Sequence, residues 1–66
     1  MATNNVEYDI LTTLQSKLEA VAAYDKYIQD CEQSGDTKSR ELFEQIKRDD
    51  AEHARQLRAQ LKDVLG

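Results

Sequence analysis

Residues 47–54 read KRDDAEHA and contain the single histidine of the chain. Asp50 and His53 stand three apart, one helical turn, and on an α-helix they share a face. Three kinds of chemistry are open to such a pair. Neutral imidazole and carboxylate are both ligands of divalent metals. A carboxylate beside an imidazole also makes an acid/base pair, because the hydrogen bond at one ring nitrogen fixes what the other can do. The third possibility is two polar residues in structural contact, with no reaction attached. Nucleophilic chemistry has less ground, since no Ser–His or Cys–His pair falls on a common level and Cys31 lies near the expected turn, far from His53.

Two helices must position this pair. The chain has no proline, is rich in good helix formers, and places its two glycines at positions 35 and 66. It reads as helix, turn, helix, in one domain spanning residues 1–66. The first helix covers about 5–33, the turn 34–36 and the second helix about 37–64, with no strand or repeat expected. Asn4 and Glu7 have the spacing of a capping box, Gly35 suits the left-handed residue that ends a helix, and Asp36 or Thr37 suits the cap of the next one.

At 100° per residue, Val6, Ile10, Leu11, Leu14, Leu18, Val21, Tyr24, Ile28 and Cys31 form a stripe about 160° wide on the first helix. Leu42, Phe43, Ile46, Ala54, Leu57, Leu61 and Val64 form the stripe of the second. One partner helix cannot cover a stripe so wide. A second hairpin can, and two hairpins make a four-helix bundle, most simply a twofold homodimer.

Four polar residues interrupt the stripes: Lys17, Asp25, Asp50 and His53. Buried charge is costly unless paired, so each needs a partner or a way out. If the turn is centred on Gly35, residues whose numbers sum to about 70 lie level in the antiparallel pair. Lys17 is then level with His53 and within a turn of Asp50, so three of the four converge. Each also has a simpler reading. Lys17 can snorkel to the bundle edge, Asp50 can be a solvated neighbour of Asp49 and Glu52, and Asp25, level with Gln45, can set register. Tyr24 reads as a core-edge ring and Tyr27 as an exposed one.

At 66 residues the chain is small enough to need help from metal or self-association, because a lone cysteine closes no internal disulfide. Nine basic and thirteen acidic residues give a net charge of -4, with the signs interspersed. This surface argues against nucleic-acid binding. No apolar run has the length of a membrane span, and the start of the chain lacks the pattern of a secretory signal. The free cysteine fits a cytoplasmic location.

The segments KLEAVAAYDKY and LFEQIKRDDAEHARQL, between Leu14 and Leu61, resemble the ferritin-like superfamily, in particular the two-helix half-bundles of rubrerythrin and encapsulated-ferritin type. There a first helix of the form E-L-E-A-I-x-x-Y precedes a second of the form I-x-x-x-E-x-E-H-A. The resemblance implies a hairpin that dimerises into a ferritin-like bundle with a metal site in its core. It assigns the metal ligands to a glutamate seven residues before the tyrosine and to an E-x-x-H pair. In this chain those positions hold Lys17, Asp50 and His53, with Tyr24 beside them. His53 matches, Asp50 is a shortened counterpart, and Lys17 reverses the charge. Glu19, the nearest acidic alternative, points to solvent.

Two functions follow from the resemblance. One is a homo-oligomeric binding or interaction module with a degenerate metal site, in which Lys17 takes the structural place of the cation. The other is a di-iron carboxylate protein of iron oxidation, iron storage or peroxide reduction, holding iron or another divalent metal on Asp50 and His53. A third class, an RNA-binding dimer of the ROP type, needs a basic outer stripe, and here Glu41, Glu44 and Glu52 break it up. Whether the chain is an enzyme is left open by these residues.

Overall fold

A computed structural model describes residues 5–66. They form two antiparallel α-helices, α1 (Asn5–Ser34) and α2 (Thr37–Leu65), with no strand among the described residues. The hairpin measures 54 × 16 × 12 Å. Asn4, the expected start of the capping box, lies outside the described residues.

Good helix formers run through both segments, and side chains one turn apart reinforce them. Lys26 pairs with Asp30, and Arg55 with Glu52. Such exposed pairs contribute a few tenths of a kcal/mol each. The turn is built as the glycine implies. Gly35 has φ +74°, its N–H donates to the Glu32 carbonyl, and the Asp36 N–H donates to the Cys31 carbonyl at 3.0 Å. These two bonds form a Schellman motif, which closes α1 by satisfying its last carbonyls. Asp36 then caps α2, one carboxylate oxygen accepting from the Ser39 N–H at 2.9 Å and the other from the Ser39 hydroxyl at 2.7 Å. These bonds hold the Asp36 carboxyl below its ordinary pKa, the backbone bond from Ser39 acting most strongly.

Leu14, Cys31 and Ala54 are the buried residues of the seam, and none is wholly buried. Around them the apolar stripes split into two open sides. On α1, Lys17 and Tyr24 lie about 60–80° to one side of Leu14, and Leu11 and Leu18 about 40–60° to the other. On α2, Asp50, His53 and Leu57 lie to one side of Ala54, and Ala51, Arg55 and Arg58 to the other. The grooves follow this division. Thr13 and Lys17 line one groove with His53, Gln56 and Leu57, whereas Leu18 and Val21 line another with Ala51, Arg55 and Arg58. The first side carries large apolar groups from both helices, including Val6, Tyr27 and Leu42, which stay 58%, 43% and 59% exposed. On the second side α1 supplies leucines and α2 supplies alanine and arginine.

Asp25 departs from expectation. Instead of interrupting the apolar stripe it is 62% exposed and accepts from the Lys47 ammonium on α2. It does tie the helices together, but through Lys47 rather than beside Gln45, which donates to Asp49 within α2.

Candidate functional site

Lys17, at the middle of α1, and Asp50, at the middle of α2, meet across the seam. The Lys17 ammonium donates to Asp50 Oδ1 at 2.9 Å. Both belong to ordinary helical turns, so no local strain places them. Their meeting follows from the tight turn at Gly35, which fixes how far each lies along its helix. The carboxylate is 13% exposed and the lysine side chain 32%. Asp50 is therefore no solvated neighbour, and Lys17 reaches inward rather than out to the rim.

His53 stands one turn beyond Asp50 with Nδ1 3.6 Å from the same Oδ1, an ion-pair separation when the ring is protonated. Its side chain is 53% exposed. In a single hairpin the ring thus faces the open first side rather than the core. Thr13, Gln56 and Gln60 join Lys17 and His53 in an open groove of about 410 Å³. The sequence reading passed over these three because each is an ordinary polar helix residue. Their positions on the Lys17 side of α1 and the His53 side of α2 were the available signal.

Tyr24 completes the layer from α1. Its ring packs against Tyr27 and Phe43, with centroids 5.9 and 6.1 Å away, and Tyr27 and Phe43 touch each other at 5.6 Å. This packing fixes the ring. Burial raises the Tyr24 pKa most, followed by the negative charge of Asp50 and a hydrogen bond with it. The Asp50 carboxyl moves the other way. Its bond from Lys17 is the strongest influence and lowers its pKa, burial opposes this, and the charge of Lys17 and contacts with His53 and Tyr24 lower it further.

The four expected side chains therefore gather around one carboxylate. Chemically the set is one anion, one fixed cation, one phenol and one imidazole. It does not fit a divalent metal within one chain. No three of His, Cys, Asp and Glu come close enough to hold one among the described residues, and Asp50 has its charge satisfied by an ammonium that cannot itself coordinate.

Comparison with known proteins bears on the fold. No curated protein and no solved structure matches the chain. A family model described as a ferritin-like domain matches residues 4–65, nearly the whole length. With its two long helices and the layer of polar groups between them, the chain belongs to the ferritin-like family.

Proposed function

We propose that this protein is a self-associating half-bundle of the rubrerythrin and encapsulated-ferritin kind that works as an interaction module, with the Lys17 ammonium filling the structural place of a metal cation. The observation that carries the reading is the 2.9 Å bond between Lys17 and Asp50, set on the first open side. A second hairpin docked on that side covers Val6, Tyr27 and Leu42, which otherwise face water. It also brings a second Lys17–Asp50 pair into the bundle. Two lysines and two aspartates cancel, so the layer is neutral without metal. Membership of the ferritin-like family supports self-association, because four helices complete the bundle core.

Charge decides between this reading and an iron-handling one. A protonated lysine in the layer repels a divalent cation on the order of several kcal/mol at the effective dielectric of a protein interior. Lys17→Glu removes that repulsion and supplies the carboxylate that the family pattern puts at this position. The variant is expected to gain affinity for Fe²⁺ and Zn²⁺ by orders of magnitude. Its metal-free form should be less stable than the parent and should recover when metal is added. Calorimetric titration, with thermal melts at equal protein and metal, reads both effects. Stoichiometric metal in the parent protein purified without chelator, bound as tightly as in Lys17→Glu, would sink the proposal.

A further inference from the structure

The second open side stays uncovered once the first has paired, and its two walls are unlike. Along α1, Leu11 and Leu18 are 52% and 41% exposed and line, with Leu14, Gln15 and Ala22, a groove of about 540 Å³. From Leu11 to Ala22 it runs about 17 Å, or three helical turns. A smaller groove of about 230 Å³ joins it at Leu18 and is walled on α2 by Ala51, Ala54, Arg55 and Arg58. At 100° per residue, Arg48, Arg55, Arg58 and Lys62 fall within one arc of about 80° on α2, and all four are exposed. No acid between positions 48 and 62 shares that arc. Glu52 lies about 40° beyond it and is taken up by Arg55, and Glu44 shares the arc nearer the turn, beside Lys47. Arg48 donates to the neutral amide of Gln45. Neither it nor Arg58 nor Lys62 makes an ion pair among the described residues. Three unbalanced cations thus stand along one flank of an apolar groove, on a chain whose net charge is -4. Glu19 marks the opposite rim, on the outer face of α1.

We propose that this side binds an amphipathic helix of another protein, one whose apolar face is edged by acidic residues along a single flank. The proposal rests on the reading of the chain as an interaction module and names the kind of partner. A groove parallel to α1 and α2 suits a third helix, whose apolar residues, one turn apart, meet Leu11 and Leu18. Ala51 and Ala54 are small enough to let that helix lie close to α2. Its carboxylates then come beside Arg48, Arg58 and Lys62, which gain the counter-charge they lack within the hairpin. The charge is one-sided, so it also fixes which flank of the partner faces α2. A lipid surface matches less well, because the leucines lie in a trough between Glu19 and the arginines rather than on a crest. A nucleic acid gains nothing from the leucine floor and is opposed by the acidic balance of the chain.

The test uses the whole chain and a fluorescein-labelled helical peptide of about 18 residues, with leucines one turn apart and glutamates along one flank. Binding is followed by fluorescence anisotropy, against a control peptide with lysine for every glutamate. The acidic peptide is expected to bind about tenfold more tightly than the lysine peptide, with an advantage that shrinks as salt is raised. Arg58→Glu with Lys62→Glu should reverse the preference, and Leu11→Gln should weaken both peptides with helix content unchanged by circular dichroism. The charge reversal alters exposed side chains alone, so it reads binding even where a leucine variant unfolds. No measurable binding of the acidic peptide, equal binding of the two peptides, or a preference untouched by the charge reversal would overturn the proposal. Tighter binding of phosphatidylserine vesicles or of single-stranded RNA would overturn it too, and so would a fall in solution mass on Leu11→Gln, which would give the side to a second copy of the chain. The metal titration of Lys17→Glu involves none of these residues, so either proposal can fail while the other stands.

Discussion

At the scale of single residues, the protein turns on one carboxylate and its neighbours. Asp50 has a lowered pKa in the folded chain because Lys17 bonds its charged form. The folded state thus binds fewer protons than the unfolded one. The stability this confers is complete above the ordinary aspartate pKa of about 4 and is lost as pH falls through the lower folded value. In Lys17→Met the strongest lowering influence is gone, burial is opposed only by the contacts with His53 and Tyr24, and the Asp50 pKa rises from its lowered value, so the pH dependence of this site weakens. The expected outcome is a loss of about 1–2 kcal/mol at neutral pH, less than for a fully buried pair because Lys17 is about a third exposed. On acidification the variant should lose less further stability than the parent. Urea unfolding of both proteins at several pH values checks this. Glu52, held down to about 2 chiefly by Arg55, titrates in both and cancels from the comparison. The convergence of Lys17, Asp50 and His53 was legible in the sequence, since counting outward from Gly35 brings them level. The pairing of Lys17 with Asp50 was readable too, as a lysine in a cation's structural place, and the structure gives Lys17 the bond and leaves His53 farther off. The depth of each group was not legible, because it depends on the rotation of α2 about its axis. Asp25 was misplaced because the wheel puts it well inside the stripe. It continues the row of Leu11 and Leu18 at seven-residue spacing, and that row faces the open second side, where Lys47 meets it.

At the scale of the elements, helix, turn and cap were readable because each rests on local chemistry. The helices end within a residue or so of where periodicity and glycine put them. The Asp36 cap needs no tertiary contact to be recognised. What periodicity concealed was the division of each stripe into two sides. A wheel shows which residues are apolar but not where the partner helix cuts the arc. The turn allows a clean test. A Cβ added to Gly35 meets nothing within 4 Å, so Gly35→Ala is penalised through its φ of +74° alone. The expected cost is about 1 kcal/mol. Gly35→Asn should cost less, because asparagine tolerates the left-handed region. Denaturant midpoints for the two variants decide the point. Equal losses would mean that the turn relaxes to another conformation.

At the scale of the whole molecule, the difficulty is a shortage of interior. With Leu14, Cys31 and Ala54 the buried apolar residues among those described, a lone hairpin removes little of its surface from water. Stability should therefore come with association, and the melting temperature should rise with chain concentration. Leu57→Glu, on the first side beside His53, is expected to weaken that dependence and lower the melting temperature at fixed concentration. Melts across a hundredfold dilution series measure it. A melting temperature indifferent to dilution would mean that the single hairpin is sufficient. The arrangement of the cross-helix bonds has a further consequence, for the order in which the hairpin forms. Asp25 and Lys47 are separated by 22 positions along the chain, and Lys17 and Asp50 by 33. Each rung farther from Gly35 closes a longer loop, but the added entropy cost grows only with the logarithm of its length. The molecule is thus built like a zipper whose slider starts at the glycine. Folding is expected to run outward from there, with the Asp25–Lys47 rung closing before the Lys17–Asp50 rung, and amide exchange should quicken along both helices with distance from the turn.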